Sequence, residues 1–213
     1  MDSIYQKTLN QIIFLYSKYS TEHRANTQPF HLQEIQNQFQ EYKYNCKDLV
    51  VRESLIEHSG SLPIIATAIY PHIKNKNVDL GKALIMLAIH DIGELIVGDE
   101  ITFTKKENQN EKIQALKLLP KQFHSIYLEL EERQSDTAKF AKAIDKITPD
   151  IIDLITPAKI TIERYKTLIN KNPNEIVPLI KEHKHPYMIW NNFLRNLHLE
   201  ILDQLDKNLK PYY

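Results

Sequence analysis

Residues 83–99 bring together side chains that could do chemistry. Ala83 to Ile89 is an unbroken apolar run, after which His90, Asp91 and Glu94 arrive together and Asp99 follows. The run reads as a helix buried on all sides. Ionisable groups at the end of such a helix are costly to desolvate without a partner, and a divalent cation is a partner that imidazole and carboxylate both accept. On a helix His90 and Glu94 lie one turn apart on one face, with Asp91 about 100° round the axis. The imidazole and its neighbouring carboxylate can therefore converge on one ion, with Glu94 beside it. The plain alternative is a helix end at which polar residues meet solvent. The choice depends on whether other elements supply more ligands.

Two other predicted helices do. Ser54-Leu55-Ile56-Glu57 is a capping box, so a helix starts at Ser54 and carries His58 in its second turn. Pro63 lies inside that helix and cannot donate to the carbonyl four residues back, which predicts a kink near Gly60. Farther on, Asp136 is expected to cap a helix over 137–147 that Pro149 closes. Ala138, Ala141 and Asp145 share one face of it, whereas Lys139, Lys142 and Lys146 point elsewhere. A carboxylate on a small-residue face is a buried carboxylate with room beside it for a partner. The central helix is expected to be capped by Asn77 or Asp79 and ended by Gly98 in the left-handed conformation. The constellation is His58, His90, Asp91 and Asp145, and two imidazoles with two carboxylates suit one divalent ion such as Mn, Co, Fe, Ni or Zn.

The remaining chain predicts helices and little chemistry. Apolar residues recur at helical spacing over 4–19, 30–42, 111–119, 122–133, 159–169, 175–181 and 187–209, and no stretch shows sustained period-2 alternation. With four glycines in 213 residues, the fold class is all-α, and the length suits a single domain over 1–213. The last helix carries a wide apolar stripe that covers the domain or pairs two subunits as a homodimer. His183, His185 and His198 have no carboxylate at ligand spacing and stay unassigned. His23 and His31 read as surface residues. Lys plus Arg equals Asp plus Glu at 27 each, which argues against nucleic acid or an anionic membrane as partner. The single cysteine, Cys46, fits a reducing compartment. No secretory leader is visible, and no apolar run approaches the roughly 18 residues of a spanning helix. A soluble cytoplasmic protein is expected.

The ordered set Glu57-His58-Ser59, His90-Asp91-Ile92-Gly93-Glu94, Gly98-Asp99-Glu100-Ile101, Leu118-Leu119-Pro120 and Ala138-Lys139-Phe140-Ala141-Lys142 with Asp145-Lys146 resembles the HD-domain metal-dependent phosphohydrolases. Among them it is most similar to the branch that includes the 5′-deoxynucleotidases. The resemblance covers the motif-bearing core, 50–148, with flanking helices on both sides. It implies an HD-domain helical bundle in which His58, His90, Asp91 and Asp145 are metal ligands and Glu94 is the general acid or base. It also implies that Asp99 is an active-site carboxylate and that Arg52 lies near a phosphate-binding arginine. Two-metal enzymes of the superfamily carry extra histidines between the His-Asp pair and the last aspartate; here only His124 lies there, which implies one ion, for which Mg joins the candidates above. The activity implied is hydrolysis of a (deoxy)nucleoside 5′-monophosphate by a metal-activated water. Hydrolysis of a triphosphate or alarmone, and a non-catalytic nucleotide-binding scaffold on the same fold, are the alternatives.

Overall fold

Ser54 starts the helix that carries the first candidate ligand. Its hydroxyl accepts from the Glu57 amide, while the Glu57 carboxylate accepts from the Ser54 amide at 2.8 Å, so the capping box read in the sequence is formed. A computed structural model of the chain describes residues 53–75, 77–103 and 109–213, together with 13, 14, 18, 19 and 22. The expected helices at 4–19 and 30–42 therefore lie almost wholly outside the described residues.

Nine α-helices follow among the described residues, with no strand: α1 Leu55–Ile69, α2 Leu80–Ile89, α3 Glu94–Val97, α4 Gln109–Leu118, α5 His124–Glu132, α6 Asp136–Ile155, α7 Ala158–Ile169, α8 Pro173–Lys184 and α9 Asn192–Leu209. Short 3-10 turns lie at Tyr70–His72, Lys121–Phe123, His185–Tyr187 and Lys210–Tyr212. The all-α expectation holds.

The long helix α6 is the hub, packed by α1, α2, α5 and α9, with α7 and α8 on its C-terminal half. Leu62, Ala66, Ala83, Met86, Phe140, Ala141 and Ile144 fill the main core between these helices. Small residues at 138, 141 and 143 let the neighbouring helices approach α6 closely. A second apolar cluster, Leu55, Ile92, Leu95, Ala115, Leu119 and Tyr127, closes the region around α3 and α4. A third, from Tyr165, Ile176, Ile180, Leu202, Leu205 and Leu209, binds α7, α8 and α9 together.

Several boundaries differ from the sequence reading, each for a physical reason. The central helix does not run unbroken to Gly98. It stops at Ile89, His90 caps it, and the 90–93 turn leads into α3 through tight bonds from the Ile92 amide to the Ile89 carbonyl (3.2 Å) and from the Glu94 amide to the Asp91 carbonyl (3.0 Å). Gly93 makes the turn possible: a Cβ there would stand 2.4 Å from the Glu111 carbonyl oxygen. Gly98 does end α3 at positive φ, but with φ 81° and ψ 158° it is in an extended glycine-only region, not the left-handed helical one. Of the two candidate caps for α2, Asp79 serves, accepting from the Lys82 amide at 3.0 Å.

The cap of α6 is Ser135 rather than Asp136, whose carboxylate accepts instead from the Asn75 amide side chain at 2.7 Å. Pro149 does not close α6, which continues to Ile155. Tertiary partners carry the helix past the proline. Asp150 is held by Lys184 Nζ at 2.5 Å and His198 Nε2 at 3.0 Å, and Asp153 by Arg164 and the Tyr165 hydroxyl. Pro63 likewise lies within α1 without ending it. In the last part of the chain α8 spans Pro173–Lys184, longer than expected, and the final helix begins at Asn192, where Asn191 caps it. His198 thus has a carboxylate partner after all, 48 residues away in sequence.

Candidate metal centre

Three buried donors meet where α1, α2 and α6 pack on one another. His58, His90 and Asp145 are 0%, 3% and 5% exposed, and each offers one donor atom within 4.8 Å of the others. The Nε2 atoms of His58 and His90 both stand 3.6 Å from Asp145 Oδ1. Asp91 approaches the same two nitrogens, its Oδ2 lying 2.9 Å from His90 Nε2 and 3.8 Å from His58 Nε2. The two imidazole rings are tilted by 49° with centroids 5.4 Å apart.

The donor set fits a divalent ion. His90 Nδ1 donates to the Leu87 carbonyl at 2.8 Å, which leaves Nε2 to face the carboxylates. That Nε2 is buried and, although 2.9 Å from an Asp91 oxygen, makes no hydrogen bond among the described residues. A ring nitrogen and carboxylate oxygens aimed at one point call for a cation between them. Proton affinities state the same demand. Burial alone would lower the His90 pKa, but the Asp91 and Asp145 carboxylates push it up to about 10. Burial would raise that of Asp145, yet the charge of Lys146 and the His58 and His90 imidazoles beside it hold its carboxyl well below the usual carboxylate range. Two imidazoles with flanking carboxylates suit Mn, Co, Fe, Ni or Zn better than all-oxygen cations.

Of the residues singled out in the sequence, the structure brings His58, His90, Asp91 and Asp145 together. Glu94 opens α3, 2% exposed, one short turn from Asp91. Asp99 follows Gly98, is half-buried and is not one of the clustered donors. Arg52 lies outside the described residues. His124 donates to the Leu119 carbonyl at 2.9 Å and is likewise not one of the clustered donors.

Two residues at the site escaped the sequence reading. Glu53, 3% exposed, places Oε2 3.7 Å from His58 Nδ1, behind the ring nitrogen that does not face the cluster. A carboxylate in this position orients a ligand imidazole and raises its basicity. Its signal was a glutamate directly before the capping serine. Tyr19 is the other. Its hydroxyl donates to the Ala88 carbonyl at 3.4 Å, and burial together with the charges of Asp91 and Glu94 raises its pKa. Nothing in the spacing of the N-terminal aromatic residues marked it.

The comparisons with known proteins follow this geometry. The family model described as HD domain matches residues 43–172. A search of curated proteins finds no match. Among solved structures, a protein described as a predicted metal-dependent phosphohydrolase from Magnetospirillum magnetotacticum MS-1 is similar, with a TM-score of 0.65 and 21% identity over 97% of both chains. At that identity the likeness speaks for the fold. The family match spans the three helices that carry the clustered donors, and this chain belongs to the HD-domain family.

Proposed function

We propose that the chain is a metal-dependent phosphohydrolase that cleaves the phosphomonoester of a (deoxy)nucleoside 5′-monophosphate. The observation that carries this reading is the buried cluster of His58, His90 and Asp145 within 4.8 Å, with Asp91 on the same two imidazole nitrogens. In this reading His58, His90, Asp91 and Asp145 hold one divalent ion. When bound, such an ion lowers the pKa of a water molecule and draws charge from a phosphoryl oxygen.

The chain's own residues do the rest. Glu94, buried in the turn after Asp91, takes the proton from the attacking water and returns it to the leaving alcohol. Glu53 holds the His58 ring so that its Nε2 stays on the cluster. Asp99 orients the sugar or the catalytic group, and Arg52 clamps phosphate oxygens through its planar fork. The neighbour from Magnetospirillum magnetotacticum MS-1, described as a predicted metal-dependent phosphohydrolase, supports the reaction class. No helix among the described residues is long and apolar enough to cross a membrane.

A phosphate-release screen of the purified protein over nucleoside mono-, di- and triphosphates, with Mn, Co, Ni, Zn and Mg in turn, tests the proposal. Release from 5′-monophosphates that stops on chelation is the expected result. Release from no nucleotide with any of these ions would overturn it.

A further inference from the structure

On α6, Lys139, Lys142 and Lys146 recur at helical spacing and form a basic stripe on the flank of the helix that carries Asp145. Facing the stripe are Arg133, which ends α5 in the left-handed conformation, and the connection from α8 to α9 with Tyr187 and Trp190. Between them lies an open surface pocket of about 580 Å³ lined by Arg133, Lys139, Lys142, His183, Tyr187 and Trp190, and by Glu132. Small-molecule sites occupy roughly 300–1,000 Å³.

The wall offers two kinds of recognition. One is positive charge beside an aromatic face. Arg133 stands 5.8 Å from the Tyr187 ring centroid and donates to the Tyr187 hydroxyl at 3.3 Å. The other is an apolar surface for a base, from the half-buried Trp190 indole that lines the pocket. Glu131 and Asp136 pair with Lys142 and Lys139 at 3.3 Å and 3.7 Å, so the acids hold these ammonium groups in place and temper their charge. Rings for a base and cations for a phosphate are the chemistry of a nucleotide.

The geometry points to this pocket as a nucleotide-binding site distinct from the metal cluster, on the flank of the helix that carries Asp145. Lys146 Nζ lies 3.1 Å from Asp145 Oδ2, on the carboxylate whose Oδ1 faces the imidazoles. The occupant is either the far end of the substrate or a second nucleotide; recognition is the same for both. The inference deepens the phosphohydrolase reading by naming where the nucleotide is held, and it is tested without turnover.

Trp190 is the sole tryptophan, so its fluorescence reports on this cavity directly. The full chain is titrated with adenosine 5′-monophosphate in the presence of a chelator, with adenosine and inorganic phosphate as separate arms. Saturable quenching by the nucleotide, stronger than by either part, is expected. Lys139→Ala and Lys142→Met, checked for fold by circular dichroism, are each expected to weaken it about ten- to a hundredfold, the span of a lost charged hydrogen bond. Lys117→Ala on α4 serves as the control. Equilibrium dialysis with metal restored, on a Glu94→Gln background, separates the two sources. One nucleotide per chain, weakened by the lysine substitutions, identifies the substrate's far end; two per chain, one of them lost on substitution, identify a second molecule. Absence of saturable quenching, or quenching unchanged in both lysine variants, overturns the inference whatever the phosphate-release screen shows. A failed screen with quenching intact overturns the hydrolase reading alone.

Discussion

Glu53 and Glu94 are both buried carboxylates beside the donor cluster, and they are assigned different work. Glu53 faces the nitrogen of His58 that points away from the cluster, so its removal is expected to loosen the ligand without deleting it. Glu53→Gln should weaken metal affinity about 10–100-fold, read by competition with a chromophoric chelator. Unchanged affinity would show that the ring is held by packing alone. Glu94→Gln should keep the metal and lose on the order of 10²–10⁴-fold in kcat. By contrast, His90→Ala is expected to lose the ion itself, and elemental analysis giving wild-type content would refute the ligand set. His58, His90, Asp91 and Asp145, which the structure brings together, were legible in the sequence because each is an ionisable residue on or just beyond the end of an apolar helix. Glu53 and Tyr19 were not. Glu53 precedes its helix, where periodicity says nothing, and Tyr19 reaches Ala88 across 69 residues.

At the scale of elements, helix existence and type followed from apolar spacing and caps, whereas stops and starts depended on partners that spacing cannot show. The turn at 90–93 is the clearest case. Its apolar lead-in predicted a continuous helix, but Gly93 lies against the Glu111 backbone, and that close approach sets where α2 ends and α3 begins. Gly93→Ala should therefore destabilise the protein by about 1–3 kcal/mol through overpacking. The measurement is the urea midpoint, and a midpoint equal to wild type would mean that α4 yields freely. The same turn fixes Glu94 relative to Asp91, so a stable Gly93→Ala protein is expected to lose activity more than metal.

Over the whole molecule, a second buried polar system lies one and a half turns beyond Asp145. Asp150, Lys184 and His198 are 0%, 3% and 0% exposed, and His185 stacks on His198 with ring centroids 5.3 Å apart. Burial lowers the Lys184 pKa while Asp150 opposes that shift, so the pair survives only as a pair. Asp150→Ala leaves a buried ammonium group and should cost about 3–5 kcal/mol, seen as a fall in Tm; an unchanged Tm would show that water replaces the carboxylate. Its three members come from α6, α8 and α9, which is why no local pattern revealed it. Metal should stabilise the same unit, by about 2.7 kcal/mol at a free ion concentration of 100 Kd. Chelation is accordingly expected to lower Tm, and a Tm indifferent to chelator would place the ion elsewhere.

Two helices that carry donors share one feature, a proline shortly after the donor. Pro63 follows His58 on α1 and Pro149 follows Asp145 on α6. Neither has an N–H to give the carbonyl four residues back, which belongs to Ser59 in one case and to Asp145 itself in the other. Each donor therefore rides on a turn with one rung missing from its ladder, free to lengthen or shorten slightly without breaking a bond. In the proposed metal centre the expected consequence is tolerance of ionic radius: His58 and Asp145 would follow a larger or smaller ion while the rest of the bundle stays put. Pro63→Ala and Pro149→Ala restore the rungs. The double variant should be more thermostable and should discriminate more sharply among Mn, Co, Ni and Zn in binding isotherms. Affinities that keep the wild-type ratios would show that the cluster's compliance comes from side chains rather than from the backbone.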